Sequence, residues 1–328
     1  MSLDGLLLLV GLALIIQGGD WFVGAAIRVA EFLKMPRVVI GGTLVSLMTT
    51  SPEFVVSLMA GAKGESGLAV GNAIGSCVCN IGLILGITAA LKQIDINPRT
   101  LRRPLTVLVG FALVLFLMTL DLVLSRVQGM LLLMGGFTYF LFDFIIHSRA
   151  RGAAVVAEAV SVKKAITGRF AWLETGWGTA VQFCAGAFLV IVGSRILVNA
   201  AVNLATAMGV SSMVVGLTVV AIGTSLPELV TAITSARRSV SDLAVGNILG
   251  ANIANLSFIV GTAATMHEVR LDRVAQLLNF PALLVSILFL LALTLTKNRI
   301  TRREGASLLV FYGVYLAILV VVTLTARS

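Results

Sequence analysis

Apolar stretches of about 20 residues, the length that crosses a bilayer as a helix, recur almost from end to end of this 328-residue chain. Backbone in hydrocarbon must satisfy its own polar groups, which leaves helices or closed barrels. Stretches this long and continuous, with charges gathered between them, are helices. Charged residues make up only 12% of the chain, far below the roughly one quarter usual in a soluble domain. The pattern predicts an all-α integral membrane protein with ten spans: 4–27, 38–62, 67–91, 104–122, 127–147, 176–200, 211–236, 242–266, 275–296 and 305–325.

Lys and Arg set the expected orientation. With the first terminus outside and sides alternating, 18 of the 24 fall in internal segments and 5 in external ones, Arg195 lying within a span. Basic residues collect on the cytosolic side, so both termini are expected outside a plasma or bacterial inner membrane. The net charge of +9 is therefore a topology signal, and no nucleic-acid partner follows from it. The opening MSLDGLLLLVGLALII lacks a basic n-region and a small-residue cleavage pattern, so it reads as a retained first span. Segment 149–175 is expected to be a cytosolic linker, too short for a domain, its basic residues able to touch anionic lipid. Cys77, Cys79 and Cys184 lie in apolar spans, where a free thiol behaves as a small hydrophobe.

Sliding the chain by 175 residues aligns GGTLVSLMTTSPEFV (41–55) with GLTVVAIGTSLPELV (216–230), and LAVGNAIGSCVCNIGLILG (68–86) with LAVGNILGANIANLSFIVG (243–261). No gap is needed and 17 of 46 positions are identical, which marks a duplication. The halves are 1–148 and 176–328, their most similar parts 39–86 and 214–261. Five spans per half is an odd number, so the second half enters the membrane from the opposite side. Inverted repeats with broken helices are a recurrent plan of secondary transporters, with the substrate site at the midplane.

Glu53 and Glu228 each lie about 15 residues into a span, near the middle of a ~30 Å hydrocarbon core. A carboxylate there costs on the order of 2.5–3.5 kcal/mol, which a bound cation offsets. Pro52 and Pro227 lack an amide hydrogen, so the carbonyls of Met48 and Gly223 lose their helical partner and each helix breaks. Hydroxyls flank the breaks: Thr49, Thr50 and Ser51 in one copy, Thr224 and Ser225 in the other. Asn80 and Asn255 lie 13 residues into the following spans, at equal offsets from their glutamates. Carboxylate, hydroxyl, amide and carbonyl oxygens are the donor set of a hard cation such as Ca²⁺ or Na⁺. Two carboxylates are neutralised by one Ca²⁺ or two Na⁺. The runs VGNAIGS and VGNILGA read as close-packing seams, with Asn72 and Asn247 as interhelical glue. Asp20 and Arg195 hold equivalent positions, as a charge pair or in separate roles.

At these residues the sequence resembles the cation/calcium exchanger superfamily, most closely its prokaryotic sodium/calcium antiporter branch. The motifs that carry the resemblance are GTSLPE (223–228) with GNILGANIAN (246–255), and MTTSPE (48–53) with GNAIGSCVCN (71–80). The resemblance implies alternating access with Ca²⁺ exported against Na⁺ and no resident cofactor. It implies cation ligation by Glu53, Glu228, Thr49, Thr50, Thr224, Ser225 and Ser76 and by the carbonyls of Ser46 and Ala221, with Asn80 and Asn255 matching further site positions. Met48 stands where the family usually has glycine, Ser51 where it has a small or apolar residue, and Ala251 where it has a ligand serine. Cys77 stands opposite Asn252 in the repeat, and Asn255 where some relatives carry aspartate. These departures bear on the number of Na⁺ sites and on any K⁺ or H⁺ involvement.

Other classes fit less of the sequence. An intramembrane metalloprotease needs a motif such as HExxH, and His147 and His267 both lie at span ends. A channel does not account for inverted halves, and a transition-metal site would have only Cys77 and Cys79 as soft ligands. Within transport, H⁺ or K⁺ in place of Na⁺ is the alternative driver. The substrates are then ions and the surroundings lipid; no protein partner is predicted.

Overall fold

The computed structural model describes residues 2–62, 66–149, 175–207, 221–271, 273–296 and 299–325. Among these, eight helices are long and apolar enough to cross a membrane. A ninth candidate is a pair, Arg37–Thr49 with Ser51–Met59, bent by 43°. Of the expected span 211–236, residues 211–220 lie outside the described residues. Its remainder forms a short helix, Ala221–Thr224, and then Leu226–Arg237. The expected linker 149–175 likewise falls outside, apart from its two end residues.

The first half runs α1 (Ser2–Leu33), α2 (Arg37–Ile40), a π-helical turn Gly41–Val45, α3 (Ser46–Thr49), α4 (Ser51–Ala62) and α5 (Ser66–Cys79). A second π-helical turn, Asn80–Leu85, leads to α6 (Gly86–Leu91), then α7 (Pro98–Met118) and α8 (Arg126–Arg149). The second half opens with α9 (Gly176–Ala207) and, after the broken segment, continues through Ser241–Ala254, a π-helical turn Asn255–Ile259 and Val260–Met266. It ends with the π-helical turn Ala275–Asn279, Phe280–Thr296 and Arg302–Thr325.

Local chemistry sets several boundaries. α7 starts six residues before the predicted 104, because Asn97 accepts the Arg99 amide at 3.1 Å and Pro98 takes the first turn, where no amide is needed. Pro104 then sits inside the helix. A capping box begins the last helix of each half. Ser125 and Gln128 exchange backbone and side-chain bonds at 2.8 and 3.3 Å, as Thr301 and Glu304 do at 2.7 and 3.4 Å.

Four two-residue strands were not expected from hydropathy. Ile94–Asp95 (β1) pairs antiparallel with Arg299–Ile300 (β4), and Val123–Leu124 (β2) with Val269–Arg270 (β3). They fasten loops of one half to loops of the other.

Burial sorts the helices. In the most apolar stretch of Ser241–Met266, 94% of residues are buried, and in Ala69–Leu91 72%, against 22–39% for the other long helices. Two central helices are thus enclosed by a perimeter whose Leu, Val, Phe and Met side chains face outward, as they do toward lipid. On that perimeter α1 and α9 run antiparallel at close approach. A Cβ on Gly11 would lie 2.9 Å from the Gly193 carbonyl oxygen, and one on Gly193 2.9 Å from that of Gly11. Gly18 and Gly186 meet in the same reciprocal way, at 2.9 and 3.0 Å. Near the ends Arg28 bonds Thr179 and Gln182, and Asn203 bonds Asp4 at 3.0 Å.

Candidate functional site

Both proline motifs break their helices at equivalent points. α3 stops at Thr49 and α4 starts at Ser51, while Ala221–Thr224 stops one residue before Leu226–Arg237 starts after Ser225. Each break puts the motif's glutamate in the first turn of a new helix. A carboxylate there faces the positive end of the helix dipole, worth about 0.3–1 kcal/mol and up to about 2 kcal/mol when partly buried. The broken helix therefore lowers the cost of the buried charge as well as freeing carbonyl groups.

At the first break the freed Met48 carbonyl accepts the Ser51 hydroxyl at 2.8 Å. Leu226 holds the equivalent of Ser51 and has no hydroxyl to give. The Ser46 carbonyl accepts the Thr50 amide at 2.9 Å and lies 3.2 Å from Thr49 Oγ1. A cation at that oxygen would compete with the Thr49 hydroxyl. Thr49 Oγ1 is also 3.1 Å from Asn247 Oδ1, so one proton serves two acceptors and Asn247 joins a central helix to the first break.

Glu53 and Glu228 are each 1% exposed and feel each other's charge. Thr50 Oγ1 donates to Glu228 Oε1 at 3.3 Å across the boundary between the halves, and Ser225 flanks Glu53 in the mirror relation. Cys79 lies beside Ser225 and both carboxylates, so the site reaches the end of α5, where Asn80 begins a π-helical turn. Asn255 begins the equivalent turn on the other central helix. Such turns widen a helix locally and are frequent at functional sites. Ser76 is buried one turn before Asn80. Thr224 is half-buried, and Ala221 opens the short helix before the second break.

The buried polar inventory is unusual. Glu53 Oε2, Glu228 Oε2, Asn80 Oδ1, Asn255 Oδ1 and Ser225 Oγ have no hydrogen-bond partner among the described residues. Native interiors leave few such atoms, because each costs about 1–3 kcal/mol and more when charged. Of the eleven such atoms among the described residues, these five can all accept and, apart from the serine, come in repeat-equivalent pairs. Such a set of acceptor oxygens could hold a desolvated cation. Among the described residues no group of three His, Cys, Asp or Glu side chains stands together, so a cation held here would meet oxygens of mixed type.

Asp20 pairs with Arg238 at 3.0 Å, while its equivalent Arg195 is exposed. His147 sits against Asp143, and His267 is exposed. Three residues that the motif reading passed over as chemistry belong to this neighbourhood: Asn252, which bonds Asn80; Cys77, which bonds Asn252; and Cys79. The 175-residue offset that pairs Cys77 with Asn252 was the available signal.

The family model described as sodium/calcium exchanger protein matches residues 4–146 and again 178–321. The chain belongs to this family. Its members are transporters, not enzymes. Among relatives, the inner membrane protein YrbG of Escherichia coli K12 is 36% identical over 97% of this chain and 97% of its own length. The sodium/calcium exchanger MaX1 of Methanosarcina acetivorans is 28% identical over 97% and 99%. A solved structure of the sodium-calcium exchanger NCX_Mj superposes at TM-score 0.81 with 28% identity, over 97% of this chain and all of that one. Other structures of the same exchanger were soaked with Na⁺ together with Ca²⁺ or Sr²⁺. This multi-pass, all-helical membrane protein thus has the exchanger fold.

Proposed function

We propose that the protein is a secondary antiporter that moves Ca²⁺ across the inner membrane against Na⁺, exporting Ca²⁺ by alternating access. The observation that carries this is the set of unpartnered oxygens from Glu53, Glu228, Asn80 and Asn255, buried together with hydroxyls and, among the described residues, with no buried Lys or Arg. Those residues, with Thr49, Thr50, Thr224, Ser225, Ser76 and the carbonyls of Ser46 and Ala221, are the assigned ion ligands. Relatives named as sodium/calcium exchangers support the same ions.

The site is read as lying between two inverted repeats, 1–148 and 176–328, of five spans each. Reciprocal contacts support this: Gly11 meets Gly193 as Gly18 meets Gly186, and Thr50 meets Glu228 as Ser225 meets Glu53. A pairing in which residue i meets j while the equivalents of j and i meet again is the signature of a twofold relation. The strands support ten crossings. Among the described residues five long helices lie between β1 and β4, and a pairing of these two loops fits both lying on one side of the membrane, which requires an even number. The broken segment ending at Arg237 supplies the sixth. Both termini then lie outside, with 149–175 in the cytosol.

Coupling follows from charge. A loaded site holds two carboxylates and either one Ca²⁺ or Na⁺ ions, so its net charge is small. The empty site carries two uncompensated charges that oppose passage through an apolar barrier. Ions therefore exchange and do not leak.

The test is Ca²⁺ flux into liposomes containing the purified protein, with Na⁺, K⁺ or pH gradients imposed one at a time. The reading expects an outward-directed Na⁺ gradient alone to drive uptake. Uptake driven by K⁺ or H⁺ instead selects the other driver, and flux that needs no counter-ion identifies a pore.

A further inference from the structure

Asn80 and Asn255 each leave a side-chain oxygen buried without a partner. An amide has one end that binds a cation and one that repels it, so something must fix which end faces the site. For Asn80 the hydrogen bonds do so in a chain anchored on backbone. The Cys77 carbonyl can only accept, and Asn252 Nδ2 donates to it at 3.4 Å. Asn252 therefore presents Oδ1 on its other side, where it accepts Asn80 Nδ2 at 2.8 Å. The Asn80 oxygen is left without a partner.

The equivalent position in the first half does the same for the second. Cys77 Sγ donates to the Asn252 carbonyl at 3.6 Å, which turns its lone pairs toward Asn255, whose amide lies against the thiol. Asn255 Oδ1 is then the free end. All four side chains are buried, at 0–1% exposure, so water does not compete for these bonds.

We propose that Asn252 and Cys77 are positioning residues of the ion site, each holding the amide nitrogen of the other half's asparagine so that its oxygen points at the bound cation. This rests on the cation-exchange reading above. Partners one layer behind the ligands commonly change metal affinity by about 10- to 100-fold when removed. A thiol is the weaker acceptor, so Asn255 is held less firmly than Asn80, and Asn252 matters more than Cys77.

The experiment measures the Ca²⁺ concentration dependence of Na⁺-driven flux in liposomes for Asn252→Leu, Asn80→Ala and the double variant, and for Cys77→Ala, Cys77→Ser, Asn255→Ala and the Cys77→Ala/Asn255→Ala pair. Asn252→Leu is expected to raise the KM for Ca²⁺ about 10-fold or more with little change in maximal rate. Adding it to Asn80→Ala should change KM by no more than about twofold, because the two act through one oxygen. Cys77→Ser, which keeps a donor and an acceptor, should retain the wild-type KM, and Cys77→Ala should raise it. KM factors that multiply in the double variants, or a Cys77→Ser defect equal to that of Cys77→Ala, would overturn the proposal and leave the exchange reading standing. If Asn252→Leu fails to fold, the Cys77 and Asn255 arms decide. A wild-type protein with no cation-driven flux would remove the exchange reading itself, and this inference with it.

Discussion

Glu53→Gln should have two effects of opposite sign. The substitution keeps shape and removes one of two buried charges that repel each other while each has an oxygen without a partner. In ion-free protein the new amide can donate to Glu228, and relief of a buried unsatisfied group is worth on the order of 1–3 kcal/mol. The ion-free variant should therefore melt above ion-free wild type. With Ca²⁺ the effect runs the other way, the variant gaining less than wild type. At a hundred times its Kd, Ca²⁺ stabilises wild type by about 2.7 kcal/mol. Truncating a buried charge partner costs about 2–5 kcal/mol, which weakens binding roughly thirty-fold at the least and leaves the variant under about 1 kcal/mol of stabilisation at the same concentration. Thermal unfolding of purified protein in detergent, in chelator and then in Ca²⁺, reads both effects. A variant that is less stable than wild type without ions, yet gains the same increment from Ca²⁺, would refute the reasoning.

Thr50→Val removes the hydroxyl that Glu228 accepts at 3.3 Å, and should weaken Ca²⁺ affinity by about tenfold in a binding titration, the worth of one bond to a charged group. Gly246→Ala drives a methyl group into the Val38 carbonyl, and Gly250→Ala one into that of Gly42; each should cost about 1–3 kcal/mol in thermal stability. Asp20→Asn breaks a pair whose side chains are 53% and 31% exposed, so stability should fall by no more than about 1 kcal/mol and flux should be unaltered. For topology, a cysteine introduced at position 160 should react with a membrane-impermeant thiol reagent only from the cytosolic side; labelling from outside would reverse the assigned orientation.

The sequence made the carboxylates, the asparagines and the hydroxyls at 49 and 50 with their counterparts at 224 and 225 stand out because each appears twice at one offset, in stretches where a polar residue is costly. Family membership followed from the same motifs. Contacts that depend on how helices turn against one another were not legible. Nothing in the periodicity announces that Asn80 and Asn255 start π-helical turns, or that Ser51 takes the Met48 carbonyl. The Asp20 partner, Arg238, lies 218 residues away and off the repeat register. The strands escaped because two residues are too few for an alternation to stand out. The capping boxes Ser125 to Gln128 and Thr301 to Glu304 are readable in the sequence as helix starts, but hydropathy, which sets the span edges, does not register them.

The most direct test is equilibrium binding of radioactive Ca²⁺ to the purified protein, titrated with Na⁺, for wild type and for Glu53→Gln and Glu228→Gln. A shared cradle predicts that wild type binds Ca²⁺, that Na⁺ displaces it competitively, and that either substitution alone abolishes binding at concentrations saturating for wild type. Binding that Na⁺ leaves untouched, or that survives the loss of either carboxylate, would contradict it.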